Sequence, residues 1–310
     1  MPARRSVRSS SSASALPDSA PANGKDGASG LRSSRRKSAA RGARAASVAP
    51  LGVFDSGVGG LTVVRALRRL LPAESLIYLG DTARVPYGNK SPQTICRFAR
   101  EDAQFLLAKG VKALVVACNT ASAHALESLR RECPVPVIGV IEPGVEATLA
   151  HEQSRHVGII GTTGTIRSGA YQQALKAARP GLKIQAVATP LLVPFVEEDW
   201  LRHPALELVL GQYLEPLLLR GMDTLLLGCT HYPMLVPLLR RMLGGKVRLV
   251  DSASTCAAHT RDLLKAKGLL RAGRARGGLQ IHLTDRSEQA EALARRLLKG
   301  EALRIEAAQL

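Results

Sequence analysis

The feature that most constrains this chain is an alternation of two patterns that begins at Leu51. Short apolar runs recur at 51–54, 75–80, 111–117, 135–140, 156–161, 183–188, 224–228, 246–250 and 279–283. Between them lie stretches with apolar residues at helical spacing, such as 61–71, 91–109, 121–132, 168–178, 204–220 and 286–298. Strands that alternate with helices pair in parallel and bury both faces of a sheet under helices. The run 113–117 (ALVVA) shows no polar alternation, as a strand buried on both sides requires. The expected class is therefore α/β with doubly wound parallel sheets. Nine strands can form one wide sheet or two smaller ones.

The residues after each strand carry the chemistry. The tips read Asp55-Ser56, Asp81-Thr82, Cys118-Asn119-Thr120, Thr162-Thr163, Thr189, Cys229-Thr230-His231 and Asp251-Ser252. Ligands of open α/β sheets bind beyond the carboxyl ends of the strands. Small polar residues there also cap the next helix, and that plain role suffices for Thr189 and Asp251-Ser252. Two tips share one plan: 115–120 (VVACNT) and 226–231 (LLGCTH) each run from an apolar strand through a small residue and a cysteine into a helix start. This self-similarity suggests two similar lobes whose equivalent tips face each other across a cleft.

The glycine-rich turn 52–60 (GVFDSGVGG) is not a dinucleotide loop. Thr62 stands where G-x-G-x-x-G requires its last glycine, and Asp55 would repel a pyrophosphate. It suits a small anion and the placement of one carboxylate. Cys96, Cys133 and Cys256 read as small buried hydrophobes. Cys118 and Cys229 differ because a helix start after a thiol favours its thiolate and lowers its pKa. Three chemistries fit two such thiols. A redox pair normally uses C-x-x-C, which is absent. A zinc site from Cys118, Cys229, His231 and Asp55 would need a C-x-H spacing that is not a standard ligand pattern. Proton transfer on both faces of one carbon fits best, with one group as thiolate and the other as thiol. Contacts of ~3–3.5 Å on each side put the sulfurs about 7 Å apart, beyond disulfide reach. His231, two residues beyond Cys229, can hold a proton near that thiol. Glu197 by spacing alone is a solvated helix charge.

The charge is unevenly spread. Residues 1–48 carry ten Lys/Arg against two Asp, nearly half of the +18 excess, in a background of Ser, Ala and Gly. Such a segment cannot bury enough apolar surface to offset its ordering entropy and reads as a disordered tail. The run Arg35-Arg36-Lys37 could touch nucleic acid or anionic lipid, although a solvated tail is the simpler reading. No apolar run approaches the ~20 residues of a membrane helix, and no secretory signal opens the chain. Five cysteines, odd in number and scattered, suit a reducing compartment, so the cytoplasm is the expected location.

Four segments together resemble the glutamate racemases of the aspartate/glutamate racemase superfamily: 53–61 (VFDSGVGGL), 78–88 (YLGDTARVPYG), 117–121 (ACNTA) and 227–235 (LGCTHYPML). The likeness spans about residues 50 to 285. It implies two α/β lobes, one from 49–141 plus 251–310 and one from 142–250, with the active site between them. It implies no cofactor and no metal. Cys118 would act on the D-isomer and Cys229 on the L-isomer, with Asp55 assisting Cys118 and with Glu197 and His231 assisting the other side. Substrate contacts would come from Asp55, Ser56, Pro86, Tyr87, Gly88, Asn119, Thr120, Thr230 and His231. The substrate would be glutamate and the D-product would feed peptidoglycan, hence cell wall and cell shape. A homodimer is compatible with the sequence. No Arg or Lys in the motifs clamps a side-chain carboxylate, although Arg84 lies close in sequence. The rival readings are an aspartate or hydantoin racemase, a one-cysteine decarboxylase, and a basic protein whose tail docks on nucleic acid.

Overall fold

The computed structural model describes residues 47–310. The basic segment, with its Arg35-Arg36-Lys37 run, lies outside the described residues. Two sheets carry the chain, and every strand pairing is parallel. The first contains β1 (Leu51–Asp55), β2 (Leu76–Gly80), β3 (Ala113–Val116), β4 (Val137–Ile138), β9 (Leu279–Leu283) and β10 (Ile305–Ala307). Its order is β10-β9-β2-β1-β3-β4. The second contains β5 (His156–Gly161), β6 (Lys183–Ala188), β7 (Thr224–Gly228) and β8 (Arg248–Asp251) in the order β6-β5-β7-β8. The path β2-β1-β3-β4 is thus repeated as β6-β5-β7-β8. Strand order reverses between β1 and β3, and again between β5 and β7, which are the crevices where such sheets bind ligands. Cys118 follows β3 and Cys229 follows β7, so the two cysteines occupy equivalent places in the two sheets.

The apolar runs lack alternation because each sheet has a core on both faces. Val53, Tyr78, Val115 and Ile281 face one core with α1 (Leu61–Leu70), α10 (Ser252–Ala266) and α11 (Glu288–Leu297). Their neighbours Phe54, Leu79, Leu114 and Val116 face the other, with α2 (Pro92–Ala108) and α3 (Asn119–Glu132). In the second sheet, Ile160, Leu225 and Leu227 pack with α7 (Leu192–Glu197), α8 (Pro204–Leu218) and α9 (Val236–Leu243). Val157, Ile159 and Leu226 pack with α4 (Ile141–Leu149) and α6 (Ala170–Ala178). A short helix, α5 (Thr163–Ser168), follows β5 directly and is capped by the Thr162 hydroxyl, which accepts from Thr165 N–H. No described helix is long and apolar enough to cross a membrane.

Expectation and structure differ at several elements. β4 shrinks to two residues because Pro134 and Pro136 precede it and Gly139 follows. β10 adds a tenth strand at the sheet edge. Asp251 caps α10 as read, accepting from Ala253 N–H (3.0 Å) and Ser254 N–H (2.8 Å). Thr189 is not a helix cap. Its hydroxyl lies 3.1 Å from Gly161 O and 2.6 Å from Tyr232 OH, tying the end of β6 to β5 and to the segment after β7.

The base of the first sheet holds a buried ion pair. Lys112 Nζ donates to Glu74 (2.5 Å) and to the carbonyls of Ser47 (2.7 Å) and Leu269 (2.8 Å). Glu74 also accepts from Arg271 N–H at 2.8 Å. Removing one partner leaves the other buried and unpaired, which typically costs ~3–5 kcal/mol. Lys112→Ala should therefore lower stability in urea denaturation by that order, and a Lys112→Met/Glu74→Gln double variant should recover part of the loss.

Candidate active site

A cavity of about 300 Å³ opens between the carboxyl ends of the two sheets. Cys118 and Cys229 both line it, with Thr120 and Asn119 from the first lobe and Thr230 and His231 from the second. Ser56, Pro86, Tyr87, Gly88 and Glu197 complete the set expected from the sequence. Asp55 is the exception. It is fully buried behind the wall, and its carboxylate accepts from Gly57 N–H (3.2 Å), Gly60 N–H (2.9 Å) and, at 3.4 Å, the Thr230 hydroxyl. A direct substrate contact by Asp55 is therefore not what this geometry offers.

Several wall residues lie outside the site set expected from the sequence, among them Val85, Asn89, Thr162, Thr163, Pro190, Val193 and Pro194. Thr162 and Thr163 had a signal, since they form the β5 tip equivalent to Asp55-Ser56. Val193 and Pro194 had none, because an apolar residue on a short helix reads as core. Arg84 is not in the wall. Asp81, Glu101 and Asp102 hold its guanidinium, which lies 4.1 Å from the Phe98 ring centre. Among the described residues, no Lys or Arg lines the cavity. The hydrogen-bonding groups of the wall are instead the hydroxyls of Ser56, Thr120, Thr162, Thr163 and Thr230, the Asn119 and Asn89 amides, and His231 paired with Glu197.

Hydrogen bonds stitch the lobes together around this cavity. The Thr62 hydroxyl donates to Thr230 O at 2.8 Å, and Tyr171 OH donates to Asn119 Oδ1 at 2.7 Å. The Thr120 hydroxyl lies 2.8 Å from that of Thr162 and 3.1 Å from that of Thr165. The loop 82–89 is anchored from behind. Tyr87 OH lies 2.5 Å from the Asp81 carboxylate and 2.9 Å from that of Asp102, and this presents Pro86, which follows a cis peptide bond, and Gly88 to the cavity.

The two thiols differ in surroundings. Cys118 is the N-cap of α3, and its sulfur accepts from Ala121 N–H at 3.4 Å. The helix start was expected to lower its pKa. Burial instead pushes this thiol up to about 12, with the nearby Asp55 carboxylate adding to the rise against the Ser56 and Ala121 hydrogen bonds. Cys229 caps no α-helix. A 3₁₀ turn (Tyr232–Leu235) separates it from α9, with Pro233 and Pro237 supplying no N–H. Its sulfur lies 3.7 Å from His231 Nδ1, and His231 Nε2 lies 3.0 Å from Glu197 Oε1. Burial pulls the His231 imidazole down, but its contacts with Cys229 and Glu197 outweigh this and raise it to about 10. Glu197 is held in turn through α7: Arg296 of α11 donates to Val196 O (3.0 Å), and Gln289 donates to Glu198 (2.9 Å). Burial raises the Asp55 pKa, opposed by His231 and by the N–H groups of Gly60 and Gly57. All five cysteines are free.

This fold and this paired-thiol cleft define a class. Residues 52–260 match the Asp/Glu/Hydantoin racemase family, and the chain belongs to that family. It is 48% identical to the glutamate racemase of Geobacter metallireducens over 235 residues, 76% of this chain and 87% of that one. The structure of a Bacillus anthracis glutamate racemase superposes with a TM-score of 0.81 at 38% identity, covering 84% of this chain and 98% of the other. The Francisella tularensis glutamate racemase, solved in complex with D-glutamate, gives 0.79 at 35% identity, covering 85% and 98%. Within the family the chain falls among the glutamate racemases, which are isomerases.

Two outcomes follow for the Cys229 side. A Cβ added at Gly59 would lie 2.5 Å from His231 Nδ1 and 2.5 Å from the Thr230 hydroxyl. Displacement of catalytic groups by about 1 Å costs on the order of 100-fold. Gly59→Ala should lower kcat/KM by about 10–100-fold for both enantiomers, with circular dichroism unchanged. Second, His231 titrates near 6.5 unfolded and near 10 folded. The stability it contributes is full below pH 6.5 and is lost as pH rises through 10. Wild type should therefore lose its advantage over His231→Asn between these limits in urea melts, and a constant difference between the two proteins would contradict the assignment.

Proposed function

We propose that this enzyme interconverts L- and D-glutamate by two-base proton transfer between Cys118 and Cys229, without a cofactor or metal. The observation that carries the reading is the placement of the two thiols at equivalent tips of two repeated sheets, both in the wall of one cavity. A planar carbanion formed between them can be protonated from either face. The cavity volume, at the small end for ligand pockets, suits an amino acid.

The protonation states set the direction of each step. Cys118, pushed up to about 12, rests as a thiol and is the acid. On the opposite side, His231 retains its proton past neutral beside Cys229 and in contact with Glu197. Cys229 as thiolate then removes the α-hydrogen of L-glutamate, and Cys118 delivers its own proton to the other face. D-glutamate reverses the roles. The buried Asp55 keeps the proton on Cys118: its carboxylate disfavours the thiolate, while its bonds to Gly57 and Gly60 shape the turn that carries Ser56. The neutral wall donors hold the two carboxylates. We place this chemistry in the cytoplasm and read its product as D-glutamate for peptidoglycan.

Serine in place of either cysteine raises the pKa of the base well above that of a thiol (~8.5 when free) and should cost orders of magnitude in rate. Cys118→Ser and Cys229→Ser should each abolish measurable racemisation by circular dichroism of glutamate, while melting temperatures stay near wild type. Dialysis against chelator and a carbonyl reagent should leave the native rate intact. Near-normal turnover in either variant, or activity restored by zinc or pyridoxal phosphate, would overturn the reading. Aspartate as the preferred substrate in the same assay would favour the rival racemase.

A further inference from the structure

A second cavity, of about 530 Å³, opens at the opposite end of the second lobe. It sits at the amino ends of β5 and β6, where His156 and Lys183 begin their strands. The active-site cleft lies at the other end of the same strands, so the two sites are separated by the length of the sheet. The cavity has a mixed wall. Its floor is apolar, with Met222 and Ile184 among the contributors, and its rim carries Lys176, Lys183 and Arg220. Among the described residues, no Asp or Glu lines it.

The state of the rim cations is informative. Nearby arginines outside the cavity are engaged: Arg155 donates to Glu152 O (2.7 Å), and Arg179 donates to Ser154 O (3.1 Å) and Leu149 O (2.7 Å). The side chains of Lys176, Lys183 and Arg220 have no such partner among the described residues. Three unneutralised cations around one concavity focus a positive potential that favours a multiply charged anion over a single carboxylate. Lysine supplies point charge and arginine a planar fork, the combination that suits phosphate. The fourth feature is Gln185 on β6. It lines the cavity, and its Oε1 is buried without a hydrogen-bond partner among the described residues. A buried acceptor of this kind calls for a donor, which the hydroxyl or amine groups of an organic phosphate supply at a distance from the charged phosphate oxygens. The volume lies within the range of small-molecule sites, and the apolar floor gives an uncharged moiety a surface to cover.

We propose that the cleft formed by Lys176, Lys183, Arg220 and Gln185 binds an organic phosphate of about nucleotide size. The phosphate sits among the three cations, and a hydroxyl or amine of the organic part donates to Gln185. This site is separate from racemisation and uses none of its residues.

The test is isothermal titration of the full chain with AMP, adenosine and inorganic pyrophosphate, in low-salt buffer free of phosphate. AMP should bind saturably with a Kd of about 1 mM or tighter. Adenosine, which lacks the phosphate, should bind at least about tenfold more weakly. A Lys183→Glu/Arg220→Glu variant should lose AMP binding by about tenfold or more while racemising glutamate at the wild-type rate, which shows that it is folded. Gln185→Leu should weaken AMP more than pyrophosphate. No heat of binding for AMP up to about 10 mM would overturn the proposal. So would equal affinity in the charge-reversed variant, or pyrophosphate binding as tightly as AMP, since the site would then take an inorganic anion alone.

Discussion

The site exists only where two sheet ends meet, so everything in it depends on the hydrogen-bonded seam between the lobes. Thr62 bonds the backbone of Thr230, Tyr171 bonds Asn119, and the hydroxyls of Thr120, Thr162 and Thr165 lie within 3.1 Å of one another across the seam. Asn119 and Thr230 each follow a cysteine directly, and Asn119, Thr120, Thr162 and Thr230 all line the wall. A shift of one lobe therefore moves one thiol relative to the other. Gly59 marks how close this approach is, because the first-lobe turn lies flat against Thr230 and His231 and leaves no room for a methyl group. In the proposed mechanism, the distance between acid and base is set by this packing rather than by the chain joining them.

Burial is the second controlling term. A helix N-terminus beside Cys118 would by itself favour the thiolate, yet burial and Asp55 together win and push the thiol to about 12. The other side has the opposite arrangement, with a buried imidazole whose proton is kept by its contacts with Cys229 and Glu197. One protonated thiol and one assisted sulfur are what a two-base enzyme needs at rest, and the asymmetry arises from different neighbours at equivalent positions of a repeated fold.

Much of this was legible in the sequence. The alternating pattern located nine of the ten strands, and the likeness of 115–120 to 226–231 anticipated the repeated strand path. Elements with weak patterns were missed or only half-read for physical reasons. β10, missed, is three residues at an edge; α7, read only through the Glu197 charge, is six residues containing Pro194; α10, read only through its cap, opens with small residues (SASTCAAHT) that bury a face without a strong apolar period. In the site, the polar tips of buried strands identified the cysteines and their neighbours. The position of Asp55 behind the wall was not readable, because a strand tip fixes where a side chain starts and not whether the following glycines fold over it. The direction of the Cys118 shift was not readable either, since burial depends on both lobes at once.

The central claim is that each thiol serves its own face of the α-carbon. It is tested most directly by racemising L-glutamate in heavy water and analysing both enantiomers by mass spectrometry at early times. The delivering thiol exchanges with solvent before substrate binds, whereas the removed hydrogen goes to the other sulfur. The account predicts deuterium in the D-glutamate formed and essentially none in the L-glutamate recovered. Early deuterium in the recovered L-glutamate, or D-glutamate that retains the original hydrogen, would mean that one base serves both faces and would contradict it.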